Sequence, residues 1–141
     1  MAVVLERRLS VEECLSLLNE EFTPDELYDR VDVGQYANKL SEKALFLLDK
    51  ENNTTRGFIA YYLNNESSFI FITRIAVSSS FRRQGVGKKM IESLSDHYMG
   101  QYQTIELEVE KTNGPALKFY KSLGFQMTEN RATKYLMIKQ L

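Results

Sequence analysis

A chain of 141 residues, 43% of them hydrophobic, can bury one sizeable core and is expected to fold as a single domain spanning 1–141. Its 18 basic and 19 acidic residues leave a net charge of −1, which excludes the broad basic surface of a nucleic-acid binder, and one cysteine with one histidine excludes an internal disulfide and an ordinary zinc site. No apolar run approaches the about 18 residues of a membrane span and no basic-then-apolar leader opens the chain, so a cytoplasmic location without membrane or nucleic-acid partners is expected.

Val3 to Leu9 reads as a first strand, and Ser10-Val-Glu-Glu13 is a capping box that starts a helix. Val11, Cys14, Leu15 and Leu18 form that helix's apolar stripe, which makes Cys14 a core residue rather than a catalytic thiol. Thr23-Pro-Asp-Glu26 repeats the signal with proline in the first helical position. The second helix, through Tyr28 and Val31, is expected to break near Gly34, with a further turn or two from Gln35 to Leu40.

Ala44 to Asp49 and Gly57 to Leu63 read as strands joined by the polar segment Lys50 to Thr55, and Asn64 to Ser68 leads into a third strand, Phe69 to Val77. Short loops between three strands imply an antiparallel meander. Val86, Met90, Leu94 and Tyr98 then recur at helical spacing, with His97 in a cap or surface role. Thr104 to Val109 alternates as a half-exposed strand, and the strand-helix-strand order from 69 to 109 makes it parallel to the strand at 69–77. Asn113-Gly-Pro opens a helix bearing Ala116, Phe119, Tyr120 and Leu123, and Gly124 closes it. Phe125 to Thr128 and Lys134 to Lys139 form a last hairpin; left as an edge, Lys134 to Lys139 would offer itself to a second subunit, so a homodimer is a possible assembly.

The junction between Val77 and the following helix carries the chemistry. Gly85 and Gly87 remove Cβ atoms that would hold a ligand off the backbone, Arg82 and Arg83 add mobile positive charge, and helix amides favour an anion. A Walker loop is excluded because Arg82 stands where its first glycine belongs and Lys89 where its hydroxyl belongs. A dinucleotide fingerprint is excluded because Met90 occupies the place of the third glycine.

What remains, Arg82-x-x-Gly85-x-Gly87 after a hydrophobic strand, resembles the acyl-CoA diphosphate loop of the GCN5-related N-acetyltransferase (GNAT) superfamily. Leu107-Glu-Val109, Asn113-x-x-Ala116, Phe119-Tyr120 and Leu123-Gly-Phe125 are similar to that superfamily's fifth strand and following helix, and the resemblance runs from about Ala44 to Phe125. It implies an α/β fold of the α+β kind: a mixed, mostly antiparallel sheet of about seven strands flanked by about four helices and splayed between strands 4 and 5.

The resemblance also implies site roles. Ile75, Ala76 and Val77 would present backbone to pantetheine and to the thioester oxygen, while Arg82, Arg83, Gln84, Gly85, Val86, Gly87 and Lys88 would hold the diphosphate. Tyr120 matches the superfamily's general acid toward the leaving sulfur, and Glu108 resembles the base of its N-terminal-alanine members, although Glu106, Glu108 and Glu110 also read as one solvated strand face. Asn113 either contacts the cofactor or caps its helix, and Glu66 and Thr73 are weaker candidates for touching the acceptor. Tyr28, Tyr36, Phe46, Tyr61 and Arg74 are candidates to line the acceptor cleft. The expected activity is direct transfer of acetyl from acetyl-CoA, without a metal, to a primary amine of a small molecule or a peptide N-terminus. A non-catalytic acyl-CoA-binding module is the alternative.

Overall fold

The computed structural model describes residues 2–19, 22 and 32–141. Its elements are β1 (Ala2–Arg7), α1 (Val11–Leu17), α2 (Val33–Lys43), β2 (Leu45–Glu51), β3 (Thr54–Asn64), β4 (Phe69–Val77), α3 (Val86–Tyr98), β5 (Thr104–Glu110), α4 (Gly114–Ser122), β6 (Gln126–Arg131) and β7 (Lys134–Gln140). The helix expected from Thr23 through Tyr28 and Val31 lies outside the described residues. Among the described residues, no helix is long and apolar enough to cross a membrane.

Local chemistry accounts for most boundaries. The Ser10 capping box forms with both of its bonds, Glu13 N–H to Ser10 Oγ at 3.1 Å and Ser10 N–H to Glu13 Oε1 at 3.0 Å. A new helix does start beside Gly34, but it is longer than the turn or two expected from Gln35 to Leu40: α2 begins at Val33 and runs to Lys43, and Asp32 Oδ1 accepts the Gln35 N–H at 3.0 Å. A capped start outweighs the modest cost of a glycine in the first turn. The polar stretch Lys50 to Thr55 is mostly strand, because Asn52 and Asn53 alone make the turn with φ of 50° and 70°. Two adjacent left-handed residues match the twist of a tight hairpin, and asparagine tolerates that conformation.

All seven strands join one sheet in the order β1-β2-β3-β4-β5-β7-β6, antiparallel except for β4 with β5. One face packs α3 and α4 over Leu47, Ile59, Tyr61, Ile70 and Ile105; the other packs α1 and α2 over Phe46, Leu48, Phe58 and Ala60. Period-two alternation along β2 and β3 feeds both cores at once. Cys14 is fully buried in the second of them, and His97 lies at the surface with Nε2 3.0 Å from Glu6 Oε1.

The last strand is not left as an edge. β7 lies between β5 and β6, pairing with both, so Lys134 to Lys139 is interior, and the edge on this side is β6, exposed at all six residues. The β6–β7 hairpin folds back into a space left beside β5, and the premise for dimerisation through the last strand falls with it.

The parallel pair is short. Phe69, Ile70 and Phe71 pair with Thr104, Ile105 and Glu106, and beyond them β4 and β5 part. On its other side β4 carries a bulge: Arg74 pairs with Ala60 and Ile72 with Tyr61, leaving Thr73 extra. A bulge bends its strand and increases local twist, which gives the divergence from β5 a cause in β4 itself.

Candidate active site

Where β4 leaves β5, a cavity of about 550 Å³ opens, with Ile72 to Ile75 on one wall, Leu107 to Glu110 on the other, and Tyr36, Asn113 and Tyr120 around it. A second cavity of about 370 Å³ runs from Ile75, Ala76 and Val77 past Phe81, Arg82 and Arg83 to Gly85, Val86, Gly87 and Lys88. The two share Ile75 and Tyr120. Eleven of the thirteen site residues drawn from the sequence therefore line one or both cavities before Asn113 is counted, and only Gln84 lines neither, its Nε2 donating to the Ser80 carbonyl at 3.4 Å.

The smaller cavity is suited to an anion. Helices α1, α2 and α4 start with side-chain caps from Ser10, Asp32 and Asn113, whereas α3 starts at Gly85 with none. First-turn amides without an internal partner, at the positive end of a helix dipole and beside Arg82, Arg83 and Lys88, favour negative charge. Arg83 and Gly85 both have positive φ, 63° and 78°, which turns the chain sharply into the helix. The two glycines differ in purpose: a Cβ on Gly85 would meet nothing within 4 Å, leaving that side open to a ligand, while one on Gly87 would meet the Phe119 ring.

Tyr120 is 9% exposed, and its hydroxyl has no hydrogen-bond partner among the described residues. Burial pushes its pKa up to about 12, with the positive charge of Arg74 pulling weakly the other way. The phenol is thus a neutral donor facing the place where the cavities meet.

The larger cavity mixes charges. Glu108 lines it, with Oε2 3.3 Å from Nη1 of Arg131 on β6. The bulge turns Thr73 and Arg74 toward α2, where the Tyr36 hydroxyl lies 3.2 Å from Thr73 Oγ1, and Arg74 Nη2 donates to the Phe22 carbonyl at 3.3 Å. Asn113 caps α4 through Oδ1, which accepts the Ala116 N–H at 3.1 Å, and borders the cavity as well.

Two expected cleft residues are corrected. Phe46 and Tyr61 are fully buried, and the Tyr61 hydroxyl bonds that of Tyr98 at 2.7 Å, because each sits on an inward face of a strand covered by helices. Glu66 borders a separate groove at the β3–β4 turn, away from Tyr120. Sequence reasoning missed Phe81, Phe119 and Lys134 as lining residues; an aromatic directly before two arginines was a usable signal for the first.

Known proteins resemble this chain in sequence and in fold. The chain is 29% identical to the [ribosomal protein bS18]-alanine N-acetyltransferase of Escherichia coli (strain K12) over 101 residues, which cover 71% of this chain and 67% of that protein. It is 34% identical to N-alpha-acetyltransferase 30 of Homo sapiens over 68 residues, 48% of this chain but only 18% of the human protein, so it spans a small part of that relative. The crystal structure of the PaiA N-acetyltransferase from Thermoplasma acidophilum in complex with coenzyme A has the same fold, with a TM-score of 0.75 at 18% identity and 100% of each chain covered. The model of the acetyltransferase (GNAT) family matches residues 11–125, which take in β2 to β5 and the three helices that border the cavities, and this chain belongs to that family.

Proposed function

We propose that the protein is an acetyl-CoA-dependent N-acetyltransferase that transfers acetyl directly to the primary amine of a small molecule or a peptide N-terminus. The observation that carries this reading is the meeting of two cavities at Ile75 and Tyr120, one suited to an anionic cofactor and the other open to an acceptor. The E. coli and human relatives, named for acting on protein alanine and α-amino groups, support the peptide arm of the acceptor class.

Acetyl-CoA supplies the acetyl group as a thioester: the N–C bond forms as the C–S bond breaks, and the proton lost by the amine balances the departing thiolate. The uncapped α3 amides with Arg82, Arg83 and Lys88 bind the diphosphate. In β4, Ile75 to Val77 keep pairing with β3 while no β5 residue pairs with them, so backbone groups of this segment face the slot. The Val77 carbonyl is already used by Arg82 Nε at 3.2 Å, which ties the guanidinium to the slot's end. An N–H fixed there stabilises negative charge on a carbonyl oxygen without reorganising.

Tyr120 acts as a hydrogen-bond donor rather than a full acid. With its pKa at about 12 against a thiol near 8.5, complete proton transfer would be uphill by about 5 kcal/mol, whereas a hydrogen bond strengthens as the sulfur gains charge. Glu108 is the candidate to attract and deprotonate the incoming ammonium. Its bond to Arg131 is exposed and screened by water, so a substrate cation can replace it.

The test is a panel of amines and short peptides incubated with acetyl-CoA and read by thiol release, alongside calorimetric titration with CoA. Release with one acceptor class supports the reading. CoA binding with no release across the panel assigns a binding module, and no CoA binding overturns both.

A further inference from the structure

Asp49 of β2 is fully buried in a strand that is otherwise apolar up to that point, and its carboxylate is held from two sides. Arg56 Nε donates to Oδ1 at 2.9 Å, and Lys89 Nζ lies 3.8 Å from Oδ2. Arg56 is itself only 8% exposed. Its position has a particular cause: Asp49 pairs with Gly57 and Lys50 with Thr55, so Arg56 is the extra residue of a β-bulge, which re-aims its side chain. An apolar pair of similar volume often stabilises a core as well as a buried ion pair does, so the charges are better explained by what they hold.

They hold both ends of the anion loop. The Arg56 carbonyl accepts the Ser78 N–H at 2.7 Å, where β4 ends. The Phe81 ring lies 5.7 Å from the Arg56 guanidinium carbon, one residue before Arg82. Lys89 belongs to the first turn of α3, and its N–H closes that turn on the Gly85 carbonyl at 3.0 Å. One cluster thus touches the segment at Ser78 and Phe81 and again at Lys89, on either side of Arg82 to Lys88.

We propose that Asp49 and Arg56 are positioning residues that set the segment Ser78 to Lys89 in its anion-binding shape, so that their loss is felt in cofactor binding rather than in the transfer step. The binding arm rests on reading this segment as the CoA diphosphate site; the structural arm does not. Arg82 and Arg83 are natural trypsin sites inside the segment and report its local order directly.

The experiment uses the double variant Asp49→Leu/Arg56→Met, which removes both buried charges together; Lys89 and Glu51, which lose a partner, have side chains 35% and 48% exposed and can turn to water. Expected are trypsin cleavage after Arg82 and Arg83 about tenfold faster without ligand, a CoA dissociation constant about tenfold weaker by calorimetry, and turnover at saturating acetyl-CoA within about twofold of the parent protein. Phe81→Leu keeps the ion pair, removes its ring contact, and should speed ligand-free cleavage by a smaller factor; that readout carries the test if the double variant does not fold, because Phe81 also lines the smaller cavity and its affinity effect would be direct. Asp49→Asn separates positioning from simple electrostatics, because losing a negative charge near a diphosphate would tighten CoA binding, whereas loosening the loop weakens it. Parent-like cleavage and CoA affinity in folded variants, or tighter binding by Asp49→Asn, overturns the proposal. Faster cleavage in the variants together with no CoA binding by the parent protein upholds the anchoring and removes the cofactor assignment.

Discussion

A Cβ placed on Gly87 would lie 3.2 Å from Cζ of Phe119, so the first turn of α3 meets α4 at a point with room for little more than hydrogen, one residue before Tyr120. Gly85, two residues earlier, has open space around it but a φ of 78°. The two alanine substitutions should therefore separate. Gly85→Ala forces a left-handed alanine at a cost of about 1–2 kcal/mol. For Gly87→Ala, the gain in helix propensity of up to about 1 kcal/mol offsets a small displacement of the Phe119 ring. Urea unfolding should show Gly85→Ala as the less stable of the two, and the reverse ranking would mean that the α3–α4 contact is more rigid than its ring suggests.

Tyr120→Phe removes a hydroxyl that has no partner among the described residues, so the change should leave stability nearly untouched. If the hydroxyl supports the departing sulfur, turnover should fall at least about tenfold, equivalent to about 1.4 kcal/mol of transition-state stabilisation, while CoA affinity stays close to that of the parent protein. Steady-state kinetics with calorimetry on the same preparation makes the comparison, and undiminished turnover would return Tyr120 to a packing role.

The pH profile follows from the direction of the same shift. Burial favours the neutral phenol, so its pKa rises from the usual tyrosine value of about 10 to about 12, and the stabilisation linked to it is complete below about pH 10 and lost as pH climbs through 12. The proton thus stays on Tyr120 throughout an ordinary assay range. The kcat/KM value should rise with deprotonation of the acceptor amine and hold level to about pH 10. A descending limb near pH 9 in a protein still folded by circular dichroism would contradict a tyrosine held this high.

Much of the fold was legible because periodicity is local. A run of aromatic and β-branched residues located Phe69 to Val77, alternation located Thr104 to Val109, and the crossover rule made them parallel, as they are. The glycine and arginine spacing picked out Arg82 to Lys88, all of which but Gln84 border the smaller cavity. Register was not legible. The bulges at Arg56 and Thr73 insert one residue into otherwise regular strands, and nothing in either tripeptide announces it. The insertion of β7 between β5 and β6 is a long-range choice that the hairpin's own sequence does not encode, so which strand forms the sheet edge stayed open. Tyr61 and Phe46 failed as cleft residues for a related reason: both faces of β2 and β3 are covered, so an aromatic there gave no sign of which side it would occupy.

Asn113 has one observed task, capping α4, and borders the acceptor cavity while doing it. Asn113→Ala should cost about 1 kcal/mol in stability, and Asn113→Asp should restore most of it because a carboxylate caps equally well and suits the positive end of the helix. Thermal unfolding of the two variants makes the check. Equal losses in both would point to a contribution from the amide nitrogen that a carboxylate cannot supply.

Glu108 can be tested by letting pH replace it. A lysine-like amine with a pKa near 10.4 costs about 4.6 kcal/mol to deprotonate at pH 7, and an α-amine near 8 about 1.4, so a base matters more for the first and less as pH rises. Glu108→Gln keeps the shape of the side chain and removes its proton affinity. If Glu108 takes the proton, the ratio of parent to variant kcat/KM should exceed about tenfold near pH 7 and shrink toward one as pH approaches the pKa of the acceptor. A ratio that stays constant across the range would make Glu108 an electrostatic contact for the ammonium instead. Arg131→Ala controls for the ion pair: the Arg131 side chain is 41% exposed and 3.3 Å from the carboxylate, so its removal should leave stability nearly unchanged and lower KM for a cationic acceptor by freeing the site it would enter.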